Sequence, residues 1–136
     1  MKLIKFANAY MALGVLSKIP LPADAAYAVY KLRREIEPTV HFFKNEELKL
    51  ADKYGAKNGE GALDIRSGRL MMRGDTEDER TAALKAYTAE RDKLCAVEDE
   101  AVRAVPLIKL PRDIMIAPEI FEALTGFAAV EVDDGE

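Results

Sequence analysis

Val29, Ile36, Phe43 and Leu50 recur at seven-residue intervals within the stretch from Ala23 to Tyr54, and Leu32 stands three positions after the first of them. This is the row of knobs with which an α-helix packs along a partner, because residues three, four and seven apart share a face. A helix over the whole stretch would be about 48 Å long at ~1.5 Å per residue. With a single apolar seam it needs neighbours, so the shorter elements are expected to gather along it. Asp24 suits the positive end of the helix dipole, and Gly55 is placed to stop the helix in a left-handed C-cap. Pro38 is the flaw. Inside a helix it removes one hydrogen bond and crowds the preceding turn, costing ~3 kcal/mol unless the helix bends. A kink near Arg34 to Pro38, or a break into two helices, is expected. Beyond the proline the row of Leu32 degrades into Thr39 and Glu46, so the end at Tyr54 should be less buried.

Before this spine, Phe6, Tyr10, Leu13 and Leu16 predict a short amphipathic helix over Phe6 to Lys18, weakened by Gly14 and preceded by an extended Leu3-Ile4 segment. Pro20 and Pro22 forbid regular helix, and Leu21 between them is expected to plug the joint. Lys2 and Lys5 ahead of an apolar run, with Ala23-Asp24-Ala25 behind it, imitate a signal peptide, but Asn8 and Tyr10 interrupt the run. It reads as part of the fold.

After the spine, the glycines, Asn58 and Lys57 of Gly55 to Gly61 read as a flexible loop, and Leu63 to Arg73 reads as a β-hairpin. With Ser67-Gly68 as the turn, Arg66 faces Arg69, Ile65 faces Leu70, Asp64 faces Met71 and Leu63 faces Met72. Leu63, Ile65, Leu70 and Met72 then share one face. Thr76 with Glu79 forms a capping-box pattern, reinforced by Asp75, Glu77 and Asp78. The helix that starts there presents Leu84, Tyr87, Leu94 and Ala101, with Arg91 and Glu98 laying their stems along the seam, and should pack antiparallel on the spine with Ile36 and Phe43 in the shared core. Pro106, Pro111 and Pro118 then space two extended segments, Leu107 to Leu110 and Ile114 to Ile116. Pro118 opens a last helix, with Ile120, Phe121 and Leu124 inward and Gly126 at its end, and the acidic residues Glu131 to Glu136 are expected to fray. The fold class is mainly α with a small β component (α+β). It comprises an antiparallel two-helix arm joined by a β-hairpin, a short N-terminal helix, and a Pro-rich C-terminal segment ending in a short helix.

The 136 residues suit one domain, expected to span 1–136. A net charge of −4 lacks the concentrated positive charge that phosphate neutralisation needs, so no nucleic-acid partner is expected. No apolar run approaches the ~20 residues that cross a bilayer, so no membrane partner is expected either. Cys95 is the single cysteine, so the fold cannot rest on an internal disulfide, and the cytosol is the expected compartment.

Catalytic chemistry finds little material. His41 lies four residues after Glu37 on one helical face, yet beside Phe42 and Phe43 it reads as a partly buried structural residue. Zinc needs three or four ligands and the chain offers one His and one Cys. Cys95 as nucleophile would need an electropositive setting, which Glu98, Asp99 and Glu100 oppose. Ser17 and Ser67 have no partner histidine implied. Gly55, Gly59 and Gly61 lack the Gly-Lys-Ser/Thr ending of a phosphate loop. The carboxylates Asp75 to Glu79 are explained by helix capping. No enzyme, cofactor or metal is expected. The one cluster left over is Arg66, Arg69 and Arg73 with Met71, at or near the hairpin tip. Like charges opposed there call for screening or an anionic partner, although exposed arginines are also simply solvated.

Several short stretches resemble a functionally uncharacterised group of small proteins encoded by bacteriophages and prophages of Gram-positive bacteria. They are Asn8-Ala9-Tyr10 with Leu13, Leu21-Pro22 followed by Ala26-Tyr27, Lys53-Tyr54-Gly55, and Ile108-Lys109-Leu110 before Ala117-Pro118-Glu119. The hairpin and Pro38 depart from that pattern. The resemblance supplies no catalytic motif. It implies a phage setting, with the protein in the host bacterial cytoplasm or the virion. The expectation is a non-enzymatic interaction protein serving virion or tail assembly, with a protein partner from phage or host and a homodimer formed where the spine's seam is left uncovered. The alternative is an inhibitor of a host defence or regulatory complex.

Overall fold

The computed structural model describes residues 1–100 and 105–132. It is a mixed α/β chain of four helices and two small two-stranded sheets. The helices are α1 (Leu3–Leu16), α2 (Ala23–Tyr54), α3 (Glu77–Cys95) and α4 (Pro118–Leu124). The strands are β1 (Ile65–Arg66), β2 (Arg69–Leu70), β3 (Leu107–Leu110) and β4 (Ala129–Val132). Two compact units are distinguishable, one made of Met1–His41 with Glu98–Glu136, the other of Phe42–Val97. Helix α2 contributes its first part to the former and its last part to the latter.

In the first unit α1 buries Leu3, Phe6, Ala7, Ala9, Ala12, Leu13 and Leu16, so the helix begins at Leu3 and the expected extended Leu3-Ile4 segment is absent. Burying Leu3 inside the first turn is worth more than leaving it in a strand without a partner. The proline joint that follows places Leu21 against the core, half-buried, as its position between two prolines suggested. Helix α2 supplies Ala25, Val29, Leu32, Ile36 and Val40 to the same core, which Ile108 and Leu110 of β3, Leu124 of α4 and Phe127 just after it complete. Ile36 thus belongs to a core built with α1 and the C-terminal elements, not to one shared with α3. Pro38 lies inside a single helix, which does not divide there, and it faces solvent.

The buried row of α2 drifts from the strict seven-residue reading. Val40 is buried where Thr39 is half-buried, and Ala51 is buried where Leu50 is only half-buried. An α-helix turns every 3.6 residues rather than 3.5, so a seven-residue row rotates ~20° per heptad and hands burial to the next position. Burial does thin towards Tyr54. Val29, Leu32, Ile36 and Phe43 are buried within one chain, while Leu50 is half-buried.

The C-terminal part of this unit corrects the sequence reading most. Leu107–Leu110 is a strand, but it pairs in parallel with β4, register Ile108 to Val130 and Leu110 to Val132. Residues Glu131 and Val132, expected to fray, are in that strand; residues 133–136 lie outside the described residues. Ile114 to Ile116 is not a strand. Parallel neighbours need a crossover, and α4 provides it. Pro118 occupies its first turn, and Gly126 ends it at φ +87°, the left-handed position a C′ glycine takes.

In the second unit α3 starts as the capping box requires: Thr76 Oγ1 accepts from Glu79 N at 3.2 Å and Glu79 Oε2 accepts from Asp75 N at 2.8 Å. It ends at Cys95, short of Glu98; Ala101 lies outside the described residues. None of its residues is fully buried, and Leu84 is exposed. Its contacts with the last turns of α2 include two ion pairs and one ring pair. Arg91 donates to Glu47 at 3.1 Å, Lys53 meets Glu90 at 3.2 Å, and Tyr54 meets Tyr87 edge-on at 6.5 Å. Arg91 therefore does more than lay its stem on a seam. Its guanidinium is one of the ties. Glu98, beyond the helix, pairs instead with the Met1 ammonium at 2.8 Å.

Candidate functional site

The hairpin forms in the register the turn and the alternation dictated, with Ile65 opposite Leu70 and Arg66 opposite Arg69. Ser67 and Gly68 both have positive φ, 51° and 75°, which is the signature of a type I′ turn and matches the twist of the flanking strands. Two-stranded hairpins are marginal alone in water, and here the preceding segment supports this one. Gly55 bridges Met72 and Lys57 bridges Leu63, so Met72 and Leu63 pair with this segment, while Ala56 N donates to Met71 O at 2.7 Å. The stretch Gly55 to Gly61, expected to be a flexible loop, thus carries ladder bonds in its first half. Asn58 Oδ1 turns the rest by accepting from Glu60 N at 2.8 Å.

Gly55 is a glycine for proximity, not for a left-handed cap. A Cβ there would collide with the Ala51 carbonyl oxygen and sit 3.0 Å from Leu70 Cδ1 and 3.2 Å from Leu63 Cδ2. Only a residue without a side chain lets the two leucines close over the end of α2. Leu63, Leu70 and Met72 are half-buried, while Ile65 remains 61% exposed at the tip.

The arginines separate. Arg66 and Arg69 are brought together by the turn, and Arg66 is met by Asp64 through Nε at 3.3 Å and Nη2 at 3.2 Å, which relieves the like-charge opposition. Arg69 is exposed and makes no hydrogen bond or ion pair among the described residues. Arg73 is not at the tip: its Nη2 donates to the Asp52 carbonyl at 3.0 Å, capping the C-terminal end of α2. Met71 is half-buried, its backbone tied to Asp64 O at 2.9 Å.

The remaining candidates stay apart. His41 is exposed rather than partly buried, and its Nε2 lies 3.6 Å from Glu37 Oε1. Cys95 is half-buried at the end of α3. Ser17 Oγ donates to the Gly14 carbonyl at 2.7 Å, and the carboxylate of Glu79 is occupied by the helix cap. Among the described residues no group of three His, Cys, Asp or Glu is placed to hold a metal, and no helix is long and apolar enough to cross a membrane.

One surface escaped the sequence reading. On α2, Tyr27 and Tyr30 stack at 6.3 Å, Lys31 lies 5.7 Å from the Tyr27 ring, and Arg34 Nη1 donates to the Tyr30 hydroxyl at 2.9 Å. That hydroxyl raises the Arg34 pKa above its ordinary value. The signal was present as Tyr27, Tyr30, Lys31 and Arg34 at three- and four-residue spacing, off the apolar row.

No protein family, curated protein or solved structure matches the chain.

Proposed function

We propose that the protein is a non-enzymatic interaction protein of phage or prophage origin, acting as a virion or tail assembly component or structural accessory. The hairpin tip carries the reading: a type I′ turn, braced from behind, presents Arg69, without a partner among the described residues, beside exposed Ile65. In this reading the last turns of α2 and α3 form an antiparallel arm that holds the tip out to an acidic protein surface. Arg66 contributes once drawn from Asp64, while Met71 and Arg73 support the tip from behind. The phage setting rests on the resemblance of the stretches around Tyr10, Pro22, Tyr54 and Pro118. It places the protein in the host bacterial cytoplasm or the virion, with a protein partner and without a cofactor, metal or nucleic acid.

Self-association, if it serves assembly, would use surface other than the buried seam of α2. An open hollow of about 520 Å³ between α1 and α4 has Met11, 67% exposed, in its wall. Recovery of the tagged protein from phage-infected cells, beside an Arg66→Ala/Arg69→Ala variant, tests the reading. Phage structural proteins lost from the variant's eluate support assembly. Host defence or regulatory proteins lost in the same way favour the inhibitor reading. Identical recoveries remove the tip as a site.

A further inference from the structure

The tyrosine and cation stripe of α2 borders a cavity of about 210 Å³ whose apolar wall includes Leu16, Ile19, Leu21 and Val29 and whose polar edge is Tyr30 and Arg33. The guanidinium of Arg33 lies 4.5 Å from the centroid of the Tyr10 ring, a cation–π contact that holds it in place from α1. Gly14 leaves room for it: even a Cβ at that position would come no nearer than 3.7 Å to Arg33 Nη2. Arg33 Nε is buried with no acceptor among the described residues. Arg33 as a whole is half-buried, so an incoming carboxylate meets a partly desolvated guanidinium, where a charge-assisted hydrogen bond is stronger than on open surface.

We infer that this face of α2 is a docking surface for an acidic segment of a partner protein, which seats an aliphatic side chain in the cavity and a carboxylate on Arg33. Three features select that occupant. The cavity is smaller than the ~300–1,000 Å³ of small-molecule sites and has the scale of a socket for one side chain. Arg33 edges the cavity and Arg34, bonded to the Tyr30 hydroxyl, stands next to it, so two guanidinium groups meet there against the nearby carboxylate of Glu37, and arginine matches a carboxylate with its planar fork. Tyr27 and Tyr30 are 60% and 52% exposed, and exposed tyrosine beside arginine is the composition of interface hot spots. Single-stranded nucleic acid fits less well. The tyrosine rings already stack on each other at an interplanar angle of 30°, with Lys31 and Arg34 over them, so their faces are not open platforms for bases. The surface lies in the first unit and is independent of the hairpin tip.

The test uses the full chain and a fluorescein-labelled peptide, Glu-Asp-Leu-Asp-Glu, followed by anisotropy, with three comparison probes: the peptide with Leu replaced by Ser, the same peptide with lysines for acids, and a labelled oligothymidylate. Binding of the acidic peptide is expected to weaken about 10-fold or more in Arg33→Gln. It should weaken several-fold in Tyr30→Ser and with the Ser peptide. Raising salt from about 0.05 M to about 0.3 M should also weaken it. The Arg33→Gln and Tyr30→Ser losses should persist when the two changes are made in an Arg66→Ala/Arg69→Ala background, so that peptide held by the hairpin tip is read separately from peptide held on this face. Thermal melts check that Arg33→Gln and Tyr30→Ser are folded; Tyr30, being exposed, carries the test if Arg33→Gln is not. The inference is overturned if the lysine peptide binds as well, if no binding is seen at about 1 mM peptide, or if the folded variants bind as the wild type does. Tighter binding of the oligothymidylate at the same residues overturns it in favour of a nucleic-acid surface.

Discussion

Truncating Phe127 to Ala should be among the most damaging single changes in the first unit. The ring is fully buried, and it meets the 2% exposed ring of Phe6 edge-on, with centroids 5.0 Å apart at 81°. It also fixes the chain between α4 and β4, where Phe127 N and Ala128 N both donate to the Leu124 carbonyl. A buried phenylalanine removes about 150 Å² or more from water, worth about 4 kcal/mol at ~25 cal/mol per Å². Buried Phe→Ala substitutions cost ~3–5 kcal/mol, so the two routes agree. Against a total stability of ~5–15 kcal/mol for a small protein, a loss of that size is a large share. Urea titrations followed by far-UV circular dichroism measure it, since the chain has no Trp to report by fluorescence. A cycle of Phe6→Leu, Phe127→Leu and the double variant isolates the edge-to-face part, expected at ~0.5–1.5 kcal/mol. A midpoint unmoved by Phe127→Ala, or strictly additive leucine variants, would refute the claim that these rings join the C-terminal segment to α1.

Two glycines should respond oppositely to alanine. Gly14→Ala adds a Cβ at ordinary contact distance from Arg33 inside α1 and should stabilise by ~0.5–1 kcal/mol, whereas Gly55→Ala drives a Cβ into the Ala51 carbonyl and should destabilise; paired thermal melts decide it. Thr76→Ala removes the acceptor for Glu79 N and should cost ~1 kcal/mol in urea titrations, with Thr76→Ser restoring most of it. The Lys53 hydrogen bond holds the Glu90 carboxyl below its ordinary value in the folded state. A depressed folded pKa gives a contribution that is present above the unfolded value, ~4.3, and lost as pH falls through the folded one. Carboxyl titration by NMR should therefore show Glu90 low in the wild type and moved upward in Lys53→Met.

The features legible in the sequence are those decided within a few residues. The hairpin register followed from a turn pair and a period-two alternation, the start of α3 from Thr76 and Glu79, and the bounds of α4 from Pro118 and Gly126, because caps and turns are set by local φ/ψ and short-range hydrogen bonds. What the tertiary structure alone decided has longer reach. The tail at Glu131 and Val132 looks polar enough to fray, and it becomes a strand only because β3 lies beside it, brought there by a crossover whose closure no local pattern encodes. Gly55 looked like a cap, but the leucines of the hairpin fold back over it and make it a point of close approach. The helical drift that buries Val40 and Ala51 depends on which side of α2 the core occupies. The candidate surfaces divide in the same way. Arg66 and Arg69 meet through a two-residue turn and could be placed by arithmetic. Arg33 is held by a Tyr10 ring from another helix, and its orphan Nε exists only once α1 is packed against α2.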